Sequence, residues 1–378
     1  MGKIYLPYAE QFDLMNENLA KIANAIGSDI DISTWAGIQK AVRVGVAPDL
    51  IPVGTQLSVH HSVYGDMLLD VVAHNHFKSA HDENAYTMTL MCHDVITKLQ
   101  YDNHEAFYYA DVALPAGTYH FTIPTSFEMW EAGTYQFTLT KQLPKGGQLS
   151  IGNGAGMALL NTEVYAHVSS TSDTLTESGA PISLGEEGTN LGTFGIELNH
   201  THRAGKGSNN YKESAIRQFL NSTAAAGSVW TPQTKFDRPP YWVKTAAGFA
   251  GGLDDEFLAI VGEVIVPCSA NNTYESPDST TAAGEKYVLK DKFYIASQKE
   301  IFGTTSDTVA DDSTLFPYYK GATNTDRIKY ADGAATHWWL RSPYSWNANY
   351  TKIIRSSGAL DHYDSNSAYG IIPICTIV

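Results

Sequence analysis

Cysteine is scarce in this chain. Only Cys92, Cys268 and Cys375 occur among 378 residues. An odd, widely spaced set supplies neither a disulfide framework nor the CxxC pairing of a structural zinc site, so an apolar core must hold the fold. Basic residues are also in the minority, with 25 Lys and Arg against 40 Asp and Glu and a formal net charge of −15. A surface this acidic repels a phosphate backbone, which argues against nucleic acid as a partner. No apolar run is long enough to span a bilayer, and Met1-Gly2-Lys3-Ile4-Tyr5-Leu6-Pro7 lacks the apolar stretch of a signal peptide. Neither membrane insertion nor the usual export route is expected.

Catalytic signatures are missing as well. There is no HExxH, no GxSxG elbow and no phosphate-binding glycine loop. The chain has 13 histidines, with close pairs at His60-His61, His74-x-His76 and His200-x-His202. Two histidines two apart on a strand share a face, but no third ligand is indicated, and hydrogen-bonded structural roles are expected. Cys92 and His93 are adjacent, so on a strand they face opposite ways and form no catalytic pair. The acidic runs Asp254-Asp255-Glu256 and Asp311-Asp312 read as helix starts or solvated faces before they read as calcium sites. No catalytic residue, metal or cofactor is expected.

What the chain does have is 43% hydrophobic residues, 22 Tyr, 31 Gly and 15 Pro, a globular, turn-rich composition that favours strands. Residues 9–26 read as a helix with Phe12, Met15, Leu19, Ile22 and Ile26 as a seam. That seam suits either an oligomerisation helix, a homotrimer being one outcome, or a helix packed on its own domain. A second helix spans Thr34 to Val44 and stops at Gly45. Short strands follow at Gln56–His60, Leu68–Ala73 and Tyr86–Met91. The near-repeat Gly117-Thr118-Tyr119-His120-Phe121-Thr122 and Gly133-Thr134-Tyr135-Gln136-Phe137-Thr138 predicts paired strands with aromatics on one face. Residues 169–195 read as loop. Asn210 with Glu213 predicts a capping box for a helix carrying Ala215, Ile216, Phe219 and Leu220, and Ser297 with Glu300 predicts a second. Further on, a helix near Leu253–Ile260 and strands at Gly262–Val266, Phe293–Ala296, His337–Arg341, Lys352–Arg355 and Tyr369–Val378 are expected. Pro373 implies that the last strand lies at an edge or carries a bulge. The class is α+β.

The strongest feature is Trp338-Trp339-Leu340-Arg341-Ser342-Pro343, closed later by Tyr369-Gly370-Ile371-Ile372-Pro373. Between these apolar flanks lie two polar patches, Tyr344–Tyr350 and Asp361–Ala368, separated by Lys352–Arg355 and the Gly358 turn. Dense Tyr, Asn, Asp, Ser and His would be costly in a core. On a surface it is the composition of a binding loop, with tyrosine for rigid contact area and small polar groups for hydrogen bonds.

The Trp-Trp-Leu-Arg-Ser-Pro motif, Gly358 and the Tyr-Gly-x-x-Pro closure resemble bacterial and phage domains of the C-type-lectin-like, formylglycine-generating-enzyme-like fold. Residues 68–97, Asn210–Asn221, Asp291–Ser297 and Arg327–Tyr330 resemble earlier parts of it. The resemblance implies a short N-terminal helical segment over 1–49 and a discontinuous domain over 50–100 and 200–378. An all-β lobe would be inserted at 101–199, and the variable region would cover about 337–378.

Within that fold the chain is most similar to variable proteins of diversity-generating retroelements, in which error-prone copying at template adenines rewrites the end of the gene. Tyr344, Asn347, Asn349, Tyr350, Asp361, His362, Tyr363, Asp364 and Asn366 are reachable from Asn codons in this way, and Trp346 from AGG. With Arg355 they form the expected ligand-binding surface. The resemblance implies a phage or prophage receptor-binding protein located in the virion tail, or in the cytoplasm before assembly. Its partner would be a bacterial surface protein or glycan. A structural tail or baseplate subunit acting through the β-rich insert is the alternative. The cysteine pair of the oxidising enzymes and the Glu-Pro-Asn and Trp-Asn-Asp triplets of calcium-dependent sugar binders have no counterpart; Trp346-Asn347-Ala348 stands instead.

Overall fold

The computed structural model describes residues 30–103, 108–124, 132–151, 163–168, 180–181, 183–193, 207–233, 239–271, 284–346 and 349–378. The expected helix at 9–26, the His200-x-His202 pair and Asn347 lie outside the described residues. The architecture is α+β, mostly strands with a few short helices.

Helix α1 (Trp35–Arg43) starts where the Thr34 side chain accepts from the Gly37 N–H, and its Ile38, Ala41 and Val42 are buried. Gly45 follows at φ 77°, the left-handed geometry that stops a helix. Helix α2 (Ala47–Leu50) comes next. The Trp35 ring packs 4.6 Å from Phe257 and Gln39 Nε2 donates to the Val378 carbonyl. The described part of the N-terminal segment therefore belongs to the main core and does not stand apart from it.

Strands β1 (Gln56–His61), β2 (Gly65–His74), β3 (Met88–Cys92) and β4 (Thr97–Gln100) follow. The chain then enters the lobe: β5 (Tyr108–Tyr109), β6 (Gly117–Ile123), β7 (Gly133–Leu139), β8 (Gly147–Ile151), β9 (Glu163–Val168), β10 (Ala180–Pro181), β11 (Ser183–Leu184) and β12 (Thr189–Thr193). These make two four-stranded sheets, β10-β9-β8-β5 and β11-β7-β6-β12. The near-repeat pairs as β6 against β7, Tyr119 opposite Phe137 and Phe121 opposite Tyr135. The paired rings lie 5.9 and 6.0 Å apart on the buried face, while Thr118–Thr138 and Thr122–Thr134 hydroxyls bond across the other. Residues 169–195 are not all loop: β10, β11 and β12 fall there, short segments without apolar alternation that pair with neighbouring strand edges.

After the lobe come α3 (Ala215–Leu220), α4 (Asp255–Ile260), β13 (Val264–Ala270), β14 (Glu285–Asp291), β15 (Phe293–Tyr294) and α5 (Gln298–Phe302). The remaining strands are β16 (Lys329–Ala331), β17 (Ala334–Thr336), β18 (Trp338–Pro343), β19 (Tyr350–Ile354), β20 (Leu360–Asp364), β21 (Ala368–Ile371) and β22 (Ile374–Ile377). Asn210 caps only the single turn Tyr211–Glu213, and Ser214 caps α3 itself. The capping box at Ser297 and Glu300 forms as read.

Two five-stranded sheets carry the domain, β1-β2-β3-β22-β15 and β20-β19-β18-β21-β4. Each joins strands from before the lobe to strands from the end of the chain. The expectation about Pro373 is corrected. It separates β21 from β22, and β22 lies inside its sheet between β3 and β15. Proline is tolerated because it sits in the break, where its carbonyl still accepts from the Cys92 N–H at 2.9 Å.

Candidate functional site

The Trp-Trp-Leu-Arg-Ser-Pro motif is β18, buried along its whole length between β19 and β21. The Trp338 indole donates to the Arg327 carbonyl at 3.1 Å and that of Trp339 to the Leu99 carbonyl at 2.9 Å, so neither buried N–H is stranded. Arg341 forks onto Glu300, Nη1 to Oε2 at 2.7 Å and Nη2 to Oε1, with both side chains fully buried. The same guanidinium donates to the Ile295 and Pro267 carbonyls. Burial works against both charges, and the Glu300 contact outweighs it for Arg341, which is held protonated. Glu300 also accepts from the Ser297 N–H, and Ser342 Oγ from the Gln298 N–H, so the motif caps α5. Every polar member of the motif therefore anchors structure.

The two polar patches meet at the opposite edge of this sheet. β20, the outer strand, pairs with β19 through Tyr350–Asp364, Thr351–Tyr363, Lys352–His362 and Ile353–Asp361. The second patch is thus largely a strand, hidden in sequence by its polar composition. Strand alternation divides the side chains between two faces. On one, the Tyr344 ring stacks on His362 at 3.8 Å and 11°, Tyr350 lies 5.3 Å from His362, and Lys352 Nζ stands 5.0 Å from the Tyr344 ring centre. On the other, Tyr363 meets Tyr369 edge-on at 5.2 Å, Tyr369 stacks on His337, and Arg355 pairs with Asp361.

Backbone contacts fix this edge. Tyr344 and Tyr350 are joined N–H to carbonyl at 2.9 Å. Asn209 Nδ2 donates to the Tyr350 carbonyl and Asn271 Nδ2 to the Tyr344 carbonyl, each at 2.9 Å. Ser365 donates from both N–H and Oγ to the Asn349 carbonyl, and Gln100 Nε2 to that of Asn366. These bonds hold main chain, so they do not depend on which side chains stand at Tyr344, Tyr350 or Asn366.

Electrostatics follow burial. It lowers the His362 pKa, with nearby Lys352 adding to the effect, and it lowers that of Lys352 against the pull of Asp307 and Asp361. Burial lowers His337 too, with Arg355 contributing, and raises the Tyr344 and Tyr369 hydroxyls.

Of the residues expected to display, Trp346 (57% exposed), Tyr363 (46%) and Arg355 project to solvent. Tyr344, Tyr350, Asp361, His362, Asp364 and Asn366 are half-buried. Asn349 is a correction: at 3% exposure it is buried, in a loop end whose carbonyl is needed by Ser365. Sequence reading missed Lys352, His337, Tyr369, Asn209 and Asn271. A lysine inside Tyr-Thr-Lys-Ile-Ile was the available signal for the first; the rest depend on contacts distant in sequence.

Elsewhere, two of the histidines read as structural make buried or half-buried hydrogen bonds. His61 bonds the Phe249 carbonyl at 2.9 Å and His74 the Ile51 carbonyl at 3.0 Å. Among the described residues no group of His, Cys, Asp and Glu is arranged to hold a metal ion. No described helix is long and apolar enough to cross a membrane.

No curated protein and no solved structure matches the chain. One family model does, the domain of unknown function DUF6273, over residues 162–378. That span takes in β18 to β22, the β19–β20 edge included, and it is more than half of the chain, which therefore belongs to the DUF6273 family.

Proposed function

We propose that this chain is a ligand-binding variable protein. Its C-type-lectin-like scaffold holds exchangeable side chains at the β19–β20 edge, and it serves phage receptor binding at the bacterial surface. It recognises a surface protein or glycan and carries out no reaction on it. One observation supports this reading above others: the hydrogen bonds that pin the edge end on the backbone carbonyls of Tyr344 and Tyr350, while Trp346, Arg355 and Tyr363 project outward. Such an arrangement tolerates replacement, because exposed side chains contribute little to stability whereas Trp338 and Trp339 contribute much.

The test is to sequence the DNA flanking the gene and to pan a library randomised at Tyr344, Trp346, Asn347, Tyr350, Asp361, His362, Tyr363, Asp364 and Asn366 on host cells. The expected result is a reverse-transcriptase gene beside an adenine-rich near-copy of codons 337–378, with library members that fold and differ in cell binding. Absence of the template together with uniform binding would sink it. The self-contained pairing of the lobe sheets favours a second reading, a tail or baseplate subunit that binds through the insert. Tail genes without a template, and binding that survives every edge substitution, would select it.

A further inference from the structure

Lys352 is the least expected residue of the edge. Its side chain is only 2% exposed, and among the described residues its ammonium donates no hydrogen bond and forms no ion pair within 4.0 Å. Its one close partner is the Tyr344 ring, 5.0 Å from Nζ to centre. The cross-strand neighbour of Lys352 is His362, and Tyr344 stacks on that ring at 3.8 Å. One tyrosine thus lies over a lysine and a histidine that stand side by side. The stem of Lys352 is buried while Nζ keeps a narrow contact with solvent, so an ammonium with three donors faces outward with no protein acceptor, and the cation–π contact supplies only part of what a partner would. Of the other basic groups nearby, Arg355 is paired with Asp361, and burial and Lys352 both lower the pKa of His362.

We propose that Lys352 is a constant anion-recognition point beneath the exchangeable surface, taking a carboxylate or phosphate group of the ligand that enters beside Tyr344. This deepens the display reading and rests on it for the identity of the ligand, not for the chemistry of the subsite. Tyr344 shields the ammonium and His362 forms one wall. What stands at position 344 then sets access to a charge that stays the same. Asp307 and Asp361 offset the Lys352 charge at a distance, so only a compact anion that touches Nζ gains from it.

The test titrates the full chain with sodium acetate and with sodium phosphate at constant ionic strength made up with chloride. NMR of 13Cε-labelled lysine reads the response at Lys352. A saturable shift at that resonance is expected with one or both anions; the anion giving the tighter curve separates a carboxylate source from a phosphate source. Lys352→Met should weaken binding about tenfold to hundredfold while the fold is retained. Lys352→Arg should preserve it, and Tyr344→Ala should tighten it by uncovering Nζ. No saturable shift, or the same anion affinity in wild type and Lys352→Met by calorimetry, overturns the proposal. If the anion response stands but the wild-type chain and the edge library fail to bind host cells, the subsite survives and the receptor-binding reading falls.

Discussion

Strands β18 and β20 belong to the same sheet, separated only by β19, and they obey opposite rules. On β18 every side chain is buried and each polar one is committed: two indoles, one guanidinium and one hydroxyl all end on named acceptors or donors. On β20 no side chain is fully buried, and the fixed hydrogen bonds run through main chain. Position in the sheet makes the difference. A strand with a neighbour on each side and layers above and below must satisfy its polar groups internally; an outer strand can leave them to solvent or to a ligand. A protein that must keep its shape while changing its contacts needs both kinds of strand.

The largest effect that would sharpen this contrast is on β18. Trp339→Ala should cost about 3–5 kcal/mol and collapse the thermal transition; a melting temperature near wild type would break the distinction. Arg341→Met strands Glu300 in a dry site and should cost a similar ~3–5 kcal/mol. Adding Glu300→Leu should recover much of that, as read by chemical denaturation of both variants. Next comes the pinning of the edge: Asn271→Ala leaves the Tyr344 carbonyl only its 3.3 Å donor from Asn209, a loss of about 0.5–1.5 kcal/mol that should show as faster amide exchange at Ser345.

Acid should act through the histidines. Burial holds His61, His74, His76, His337 and His362 below their ordinary value in the folded protein, His76 at about 4. Unfolding returns them to about 6.5. Between those limits the unfolded chain binds more protons, so stability is complete above about pH 6.5 and falls as the pH drops toward 4. His60, raised by its bond to Asp66, works the other way. Denaturation midpoints at pH 7 and pH 5 check the sign, and a rise on acidification would refute it. The smallest effect is expected at Tyr363→Ser, within about 0.5 kcal/mol by the same assay.

Much of the frame was legible before any coordinates. The helix at Trp35 and the capping box at Ser297 form as the residues predict, because both depend on neighbours three or four positions away. The Tyr/Phe–Thr near-repeat pairs as expected, because period-two alternation of large apolar and polar groups leaves few registers. Asn210 misled, since it caps a separate single turn and Ser214, four residues later, caps the helix. Strand β20 escaped because Leu-Asp-His-Tyr-Asp carries no apolar alternation; only the edge of β19 makes it a strand.

Sequence alone determined which apolar residues form the core and where most local caps and turns fall, because side-chain hydrophobicity and short-range hydrogen bonds are properties of the residues and their near neighbours. Tertiary structure alone decided that residues 56–100 pair with the last strands, that Glu300 meets Arg341, that Asn349 turns inward, and that Lys352 lies beneath Tyr344 beside His362. Those facts depend on which chain segments share an edge, and no residue carries that information until distant strands have chosen their partners.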